Sequence, residues 1–193
     1  MSEATQESDP LSLAARLSDR KLPPVDTWDP DFCGDIDMRI ARDGVWYYNG
    51  SPIGRKRLVK LFASVLRRDP DNQHYLVTPV EKLRIKVDDA PFLAVEIEVQ
   101  GSGTDQVLLF RTNVDDVVHA DETHPIRVDI DPHDQQPSPY VLVRKGLEAL
   151  IARSVFYELV ALGVERDGAN GTELGVWSTG QFFSLGRLNE SDC

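Results

Sequence analysis

Hydrophobic and polar positions alternate most cleanly in the middle of the chain. Leu83, Ile85 and Val87 alternate with Lys82, Arg84, Lys86 and Asp88, and Leu93, Val95, Ile97 and Val99 alternate with Ala94, Glu96 and Glu98. This is the two-residue period of half-buried strands. An antiparallel hairpin around residues 89–91 with Ile85 opposite Ile97 also sets Arg84 against Glu98 and Lys86 against Glu96, so both patterns predict that register. Gly101-Ser102-Gly103 turns the chain into a further strand over 107–112, and strands over 126–130 and 140–144 complete a meander of about five. Nearer the amino terminus, Asp43-Gly44 between residues 38–41 and 45–48 suits the positive φ angles of a tight hairpin, and Asn49-Gly50 marks a second turn. A last hairpin is expected from 173–177 and 182–185 around residues 178–180.

Two segments carry a helical period instead. Leu58, Leu61, Phe62, Val65 and Leu66 recur at helical spacing behind Ser51, a side-chain cap, and Pro52, preset for the first helical position, which predicts a helix ending near Arg68. Over residues 145–162 the apolar Leu147, Ile151, Val155, Phe156, Leu159 and Val160 cover most of the circumference, which predicts a long enclosed helix closed at Gly163. Upstream, residues 1–10 are poor in apolar side chains, Leu11, Leu13, Ala14 and Leu17 mark a short helix stopped by Pro23 and Pro24, and five aspartates between 26 and 37 form a connector with Trp28 and Phe32 as anchors. These elements divide the chain into a tail with a short helix and acidic connector (1–35), an α+β domain (36–80), a meander-plus-helix domain (81–186) and a closing tail (187–193). Gly44-Val45-Trp46 and Gly175-Val176-Trp177, each in a hairpin, hint at duplication.

A length of 193 residues suffices for one sizeable core or two small ones. With 21 Lys and Arg against 32 Asp and Glu the formal charge is −11, which disfavours nucleic acid and anionic membrane surfaces as partners. Cys33 and Cys193 lie at opposite ends of the chain, a usage that suits a reducing cytoplasm. The amino terminus lacks the pattern of an export signal and no apolar run approaches the roughly 18 residues of a membrane span, so neither export nor membrane insertion is expected.

Candidate chemistry is sparse, and no motif names a reaction or a cofactor. Residues 115–136 bring His119, Asp121, Glu122, His124, Asp129, Asp131 and His133 together, but without a diagnostic metal-ligand spacing; seven acids against Arg127 also describe a solvated acidic loop. Arg55, Lys56, Arg57, Lys60, Arg67 and Arg68 give the first helix six cations and no acid, either an anion-binding face or the solvated side of an amphipathic helix. Cys33 has no evident base beside it, and Ser51, Ser178 and Ser184 lie outside any nucleophile elbow. Arg111 and Arg144 each end a strand that reads as apolar on both faces. A guanidinium there needs either an internal carboxylate, for which Glu81, Glu148 and Glu158 are at hand, or an anionic ligand.

The stretches GVWYYNGSPIGR (44–55), TPVEKLRIKVDDAPF (78–92), FRTNV (110–114), PYVLVRKGLEALIARSVFYELVAL (139–162) and GVWSTGQFFSLG (175–186) resemble, in order, the bacterial family called domain of unknown function 1285. The resemblance spans residues 36–186. It implies an α+β fold of repeated motifs in two domains, the second superficially pleckstrin-homology-like, a ligand site at the domain interface and a role in signal transduction; it supplies no catalytic residue. The expectation is therefore a non-catalytic ligand-binding or regulatory protein that needs no cofactor. It would take a small anionic ligand, or an acidic segment of a protein partner, through Arg111, Asn113, Arg144 and Arg55. The alternative is a metal-assisted hydrolytic enzyme built on His119, Asp121 and His124.

Overall fold

The computed structural model of the protein describes residues 22–133, 135–168 and 171–188. Among these the chain forms two compact units, the first from residues up to 41 together with 45–88, the second from 42–44 and from 89 onward. The short helix expected over 11–17 lies outside the described residues.

The first unit contains β1 (Phe32–Ile40), β2 (Trp46–Tyr48), β3 (Ser51–Pro52), α1 (Lys56–Ser64), β4 (Leu66–Arg68), β5 (His74–Val77) and β6 (Lys82–Val87). Its sheet has the order β3-β2-β1-β6-β5-β4. All neighbours are antiparallel except β1 and β6, so two three-stranded meanders meet along one parallel seam. The expected turns are present: Gly44 has φ 79°, and Asn49 and Gly50 take the paired positive values (47° and 74°) that let two residues reverse a hairpin. Met38, Ile40, Trp46, Phe62, Val65, Leu66 and Leu76 are buried, and the Trp46 and Phe62 rings stack at 6.3 Å.

Several expectations for this region are corrected. The strands over 83–87 and 93–99 do not pair with each other: β6 lies between β1 and β5, and Arg84 binds Asp35 in a fork of 2.7 and 2.8 Å bonds rather than facing Glu98. Matched charges show that a strand wants an acidic neighbour, not which one, and the neighbour is 49 residues away. Lys82–Val87 accordingly belongs to the first unit, and the ordered sheet begins at Phe32 rather than Ile36. Ser51 and Pro52 are strand, not cap, because the Asn49-Gly50 reversal lays Ser51 against Tyr48; α1 starts at Lys56 after Arg55, with no side-chain cap bond. The connector is pinned by Arg67, whose Nη1 donates to the carbonyls of Val25 and Trp28 at 2.9 and 2.7 Å, while Phe32, 54% exposed, meets the Tyr75 ring edge-on at 6.2 Å.

The second unit contains β7 (Phe92–Gln100), β8 (Val107–Thr112), β9 (Val117–His119), β10 (Ile126–Ile130), β11 (Pro137–Arg144), β12 (Leu147–Ile151) and α2 (Arg153–Ala161). A separate three-stranded sheet follows, of β13 (Val164–Gly168), β14 (Gly171–Ser178) and β15 (Gln181–Arg187). The larger sheet runs β10-β11-β12-β7-β8-β9, again two meanders sharing one parallel seam, here β12 with β7. The long helix over 145–162 is not formed. Lys145-Gly146 is a turn with Gly146 at φ 77°, the next five residues are β12, and only nine are helical. Leu147, Ala149 and Ile151 are buried with Glu148 and Leu150 half-buried between them, a period of two inside an apolar run too rich to separate strand from helix. Nor is α2 enclosed: Val155 and Leu159 are buried, but Arg153, Ser154, Tyr157 and Glu158 face solvent. Gly163 does not take the left-handed angle expected of it; a Cβ there would come 2.8 Å from Leu174 and from the Val160 carbonyl, so close packing explains the glycine. Among the described residues no helix is long and apolar enough to cross a membrane.

Candidate functional site

A cavity of about 600 Å³ opens in the second unit where the start of β11, the end of β12 and the first turns of α2 converge with the turn residue Arg42. Leu93, Pro137, Pro139, Phe156 and Tyr157 supply apolar walls, and Arg42, Ser138 and Arg153 supply hydrogen-bond donors. The volume is that of small-molecule sites, and the lining mixes polar and apolar surface in nearly equal parts.

The two guanidinium groups differ in what already holds them. Arg42 donates through Nη2 to Ser138 Oγ at 2.8 Å, and its Nε lies 3.2 Å from Asp89 Oδ2. The other oxygen of Asp89 accepts the Tyr140 hydroxyl at 2.8 Å; burial, aided by that carboxylate, pushes the Tyr140 phenol up to about 12. Arg42 is therefore held by one hydrogen bond and an ion pair with Asp89, while its side chain stays 63% exposed. Arg153 is exposed at the first position of α2, and no carboxylate of the described residues pairs with it. Asp131, also in the lining, accepts the His133 amide at 2.8 Å.

The residues singled out in the sequence are distributed differently. Arg111, Asn113 and Arg144 gather around the turn between β8 and β9, and Arg55 belongs to the first unit. Arg111 is not at a buried margin: its side chain is 45% exposed, donates to Glu96 at 2.6 Å and meets Asp115 at 3.0 Å. Arg144 is half-buried, donates to Asp116 at 2.7 Å and stacks over the Phe92 ring at 5.0 Å. Of the carboxylates expected to pair with Arg111 and Arg144, Glu148 takes two prongs of Arg127 instead. Glu96 is the register partner of Arg111 across β7 and β8, a pairing that a β6–β7 hairpin conceals. Asn113 ties backbone to backbone, accepting from the Leu93 amide at 3.0 Å and donating to the Gly44 carbonyl at 3.2 Å.

The histidine loop does come together. His119 Nε2 and His124 Nδ1 approach the two oxygens of Asp121 at 2.8 and 3.2 Å, with ring centroids 5.9 Å apart. Burial works against the Asp121 charge, but hydrogen bonds from Thr123 and His124 outweigh it and bring the carboxyl down to about 2. Among the described residues no group of three or more His, Cys, Asp or Glu is arranged to hold a metal ion. The carboxylate serves the loop's own amides and hydroxyl.

The cavity escaped the sequence reading because its walls come from segments about a hundred residues apart. Arg42 belongs to the Asp43-Gly44 turn, and Arg153 falls within the segment whose period predicts a long helix.

The architecture defines a two-unit, strand-rich protein in which each principal sheet is a pair of meanders with a nine-residue helix beside it. Two family models match in succession: domain of unknown function (DUF1285), N-terminal domain, over residues 23–90, and protein of unknown function (DUF1285), C-terminal domain, over residues 91–185. Their junction falls beside the boundary between the units. The crystal structure of a DUF1285 family protein from Silicibacter pomeroyi DSS-3 is 50% identical, covers 96% of this chain and 98% of that one, and superposes with a TM-score of 0.89. A DUF1285 family protein from Shewanella baltica OS155 is 28% identical, covering 64% of this chain and 90% of that one, with a TM-score of 0.50. No curated protein matches. The chain belongs to the DUF1285 family.

Proposed function

We propose that this protein is a non-catalytic ligand-binding protein with a regulatory, signalling role in the cytoplasm, and that it takes a small anion in the cavity of its second unit. The observation that carries this reading is the pairing of a cavity of about 600 Å³, part apolar and part polar, with a guanidinium held by Ser138, Arg42, and one that nothing among the described residues engages, Arg153. An unengaged guanidinium at an apolar wall gains most from an anion that brings its own apolar surface. Arg111, Asn113 and Arg144 are less suited, because their donors already serve Glu96, Asp115, Asp116 and the Gly44 carbonyl. A superficial pleckstrin-homology likeness of the second unit, a meandering sheet with one helix beside it, is consistent with recognition rather than chemistry.

Calorimetry and thermal shift against a panel of nucleotides, phospho-sugars and organic acids test the proposal. One-to-one binding should be abolished in a folded Arg42→Gln, Arg153→Gln double variant and survive in Arg111→Gln. Binding lost only in a folded Arg144→Gln variant would move the site to the turn between β8 and β9. No binding at millimolar concentration, or retention only of an acidic peptide, would refute the small-anion reading, and turnover of a substrate that requires His119 and His124 would favour the hydrolytic alternative.

A further inference from the structure

Resting on that reading, we infer that the cavity selects an aromatic monocarboxylate. The first argument is charge. Arg42 and Arg153 bring two positive charges, but Asp89 lies 3.2 Å from Arg42 and counters one, and Asp131 adds a carboxylate to the lining. These four charges cancel, so the site holds no surplus cation. Phosphate monoesters and nucleotides, with charge near −2 or beyond, meet repulsion from Asp89 and Asp131, whereas one carboxylate is the smallest charge that still uses the Arg153 fork.

The second argument is donor geometry. Arg42 is bound through Nη2 to Ser138 and has its Nε 3.2 Å from Asp89 without a hydrogen bond, whereas among the described residues nothing engages the Arg153 fork, which matches two coplanar carboxylate oxygens. The third is shape. Tyr157, 62% exposed, and Phe156 offer ring surfaces, Pro137 and Pro139 offer flat, rigid ones, and a cavity of about 600 Å³ has space for a fused two-ring body.

Calorimetry with 2-naphthoate, 2-naphthyl phosphate, decanoate and inorganic phosphate at pH 8 decides the matter. The wild-type chain should bind 2-naphthoate one-to-one and at least about tenfold more tightly than either 2-naphthyl phosphate or decanoate. Arg153→Lys, which keeps the charge and loses the fork, and Tyr157→Ala should each weaken 2-naphthoate by about tenfold without lowering the melting temperature, since both side chains are exposed. Asp131→Asn should narrow the gap between naphthoate and naphthyl phosphate, an effect that a purely structural Asp131 would not produce. Naphthyl phosphate binding more tightly, or decanoate binding as well as naphthoate and equally in Tyr157→Ala, would overturn the aromatic monocarboxylate while leaving a small-anion site. Silence from all four probes, with the broader panel also silent, would remove the site itself.

Discussion

The two units build the same sheet from unrelated sequence. In the first, β1-β2-β3 and β4-β5-β6 are meanders joined where β1 runs parallel to β6; in the second, β7-β8-β9 and β10-β11-β12 are joined where β7 runs parallel to β12. They differ in where the helix enters. α1 lies between the two meanders of its unit and sends Phe62 onto the ring of Trp46, whereas α2 follows the second meander, so that its first turns meet the end of β12 and open a cavity. One topology thus yields a packed helix in one unit and a receptive one in the other. The Gly-Val-Trp echo does not mark this repeat. Gly44 precedes the buried Trp46 of β2 and needs its positive φ, while Gly175 precedes the half-buried Trp177 of β14, in the separate small sheet. Gly175 is required by contact alone: a Cβ would lie 2.3 Å from the Phe182 ring.

The largest expected effect tests whether each helix serves its own sheet. Phe62→Ala should cost about 3–5 kcal/mol and Leu159→Ala about 2–5 kcal/mol in urea unfolding, both sites being fully buried. Hydrogen exchange should quicken in β5 and β6 for the first variant and in β7 and β12 for the second. Equal quickening in both sheets from either variant would erase the distinction between the units.

The two glycines sharpen it further. Gly175→Ala meets an aromatic ring and, at 2.5 Å, the backbone carbonyl of Phe183, neither of which yields easily, and should cost about 1–3 kcal/mol or somewhat more. Gly44→Ala suffers left-handed backbone strain and a 2.6 Å approach to the Asn113 amide, and should cost about 1–2 kcal/mol. The reverse order in thermal melts would mean that the hairpin of β1 and β2, rather than that of β14 and β15, is the less forgiving.

The smallest effect is a difference in acid response. Burial, with Arg68 nearby, lowers His74 of the first unit to about 4, so as pH falls below about 6.5 the unfolded chain takes up a proton that the folded chain refuses. Stability declines between pH 6.5 and 4, by about 2 kcal/mol once partial exposure is allowed for, and His74→Gln should flatten that slope. In the second unit Asp121, held near 2, contributes stability that is present above about pH 4 and lost as pH falls towards 2, by about 1 kcal/mol. Asp121→Asn should remove only that lower segment of the curve. A single acid transition unaltered by either variant would show that neither group governs its unit.

The hairpins were legible from short stretches because a tight reversal makes a local demand: Asp43-Gly44, Asn49-Gly50 and Thr179-Gly180 supply the positive φ angles that few other dipeptides tolerate. Strand alternation in β6 was equally local, with Leu83 and Ile85 buried. In β7 a bulge after Ala94 buries Ala94 and leaves Val95 and Val99 exposed, so the apolar face expected there is not the inward one. The partner of each strand was not, since Arg84 can neutralise any acid and only the assembled sheet brings Asp35 to it. Over residues 147–151 Leu-Glu-Ala-Leu-Ile satisfies both periods, and the Gly146 turn with the pairing to β11 and β7 selects the strand.

Sequence alone therefore determined the mixed α+β class, the turns, most of the strands and the family, all of which depend on neighbours within a few residues or on ordered motifs along the chain. Tertiary structure decided the parallel seams, the shortness of α2 and the pairing of Arg111 and Arg144 with Glu96, Asp115 and Asp116. It also decided the cavity. Arg42, Ser138 and Arg153 are unremarkable polar residues in their own segments, and they acquire a common role only when contacts across about a hundred residues place a cation held by Ser138 and an uncommitted one around the same cavity.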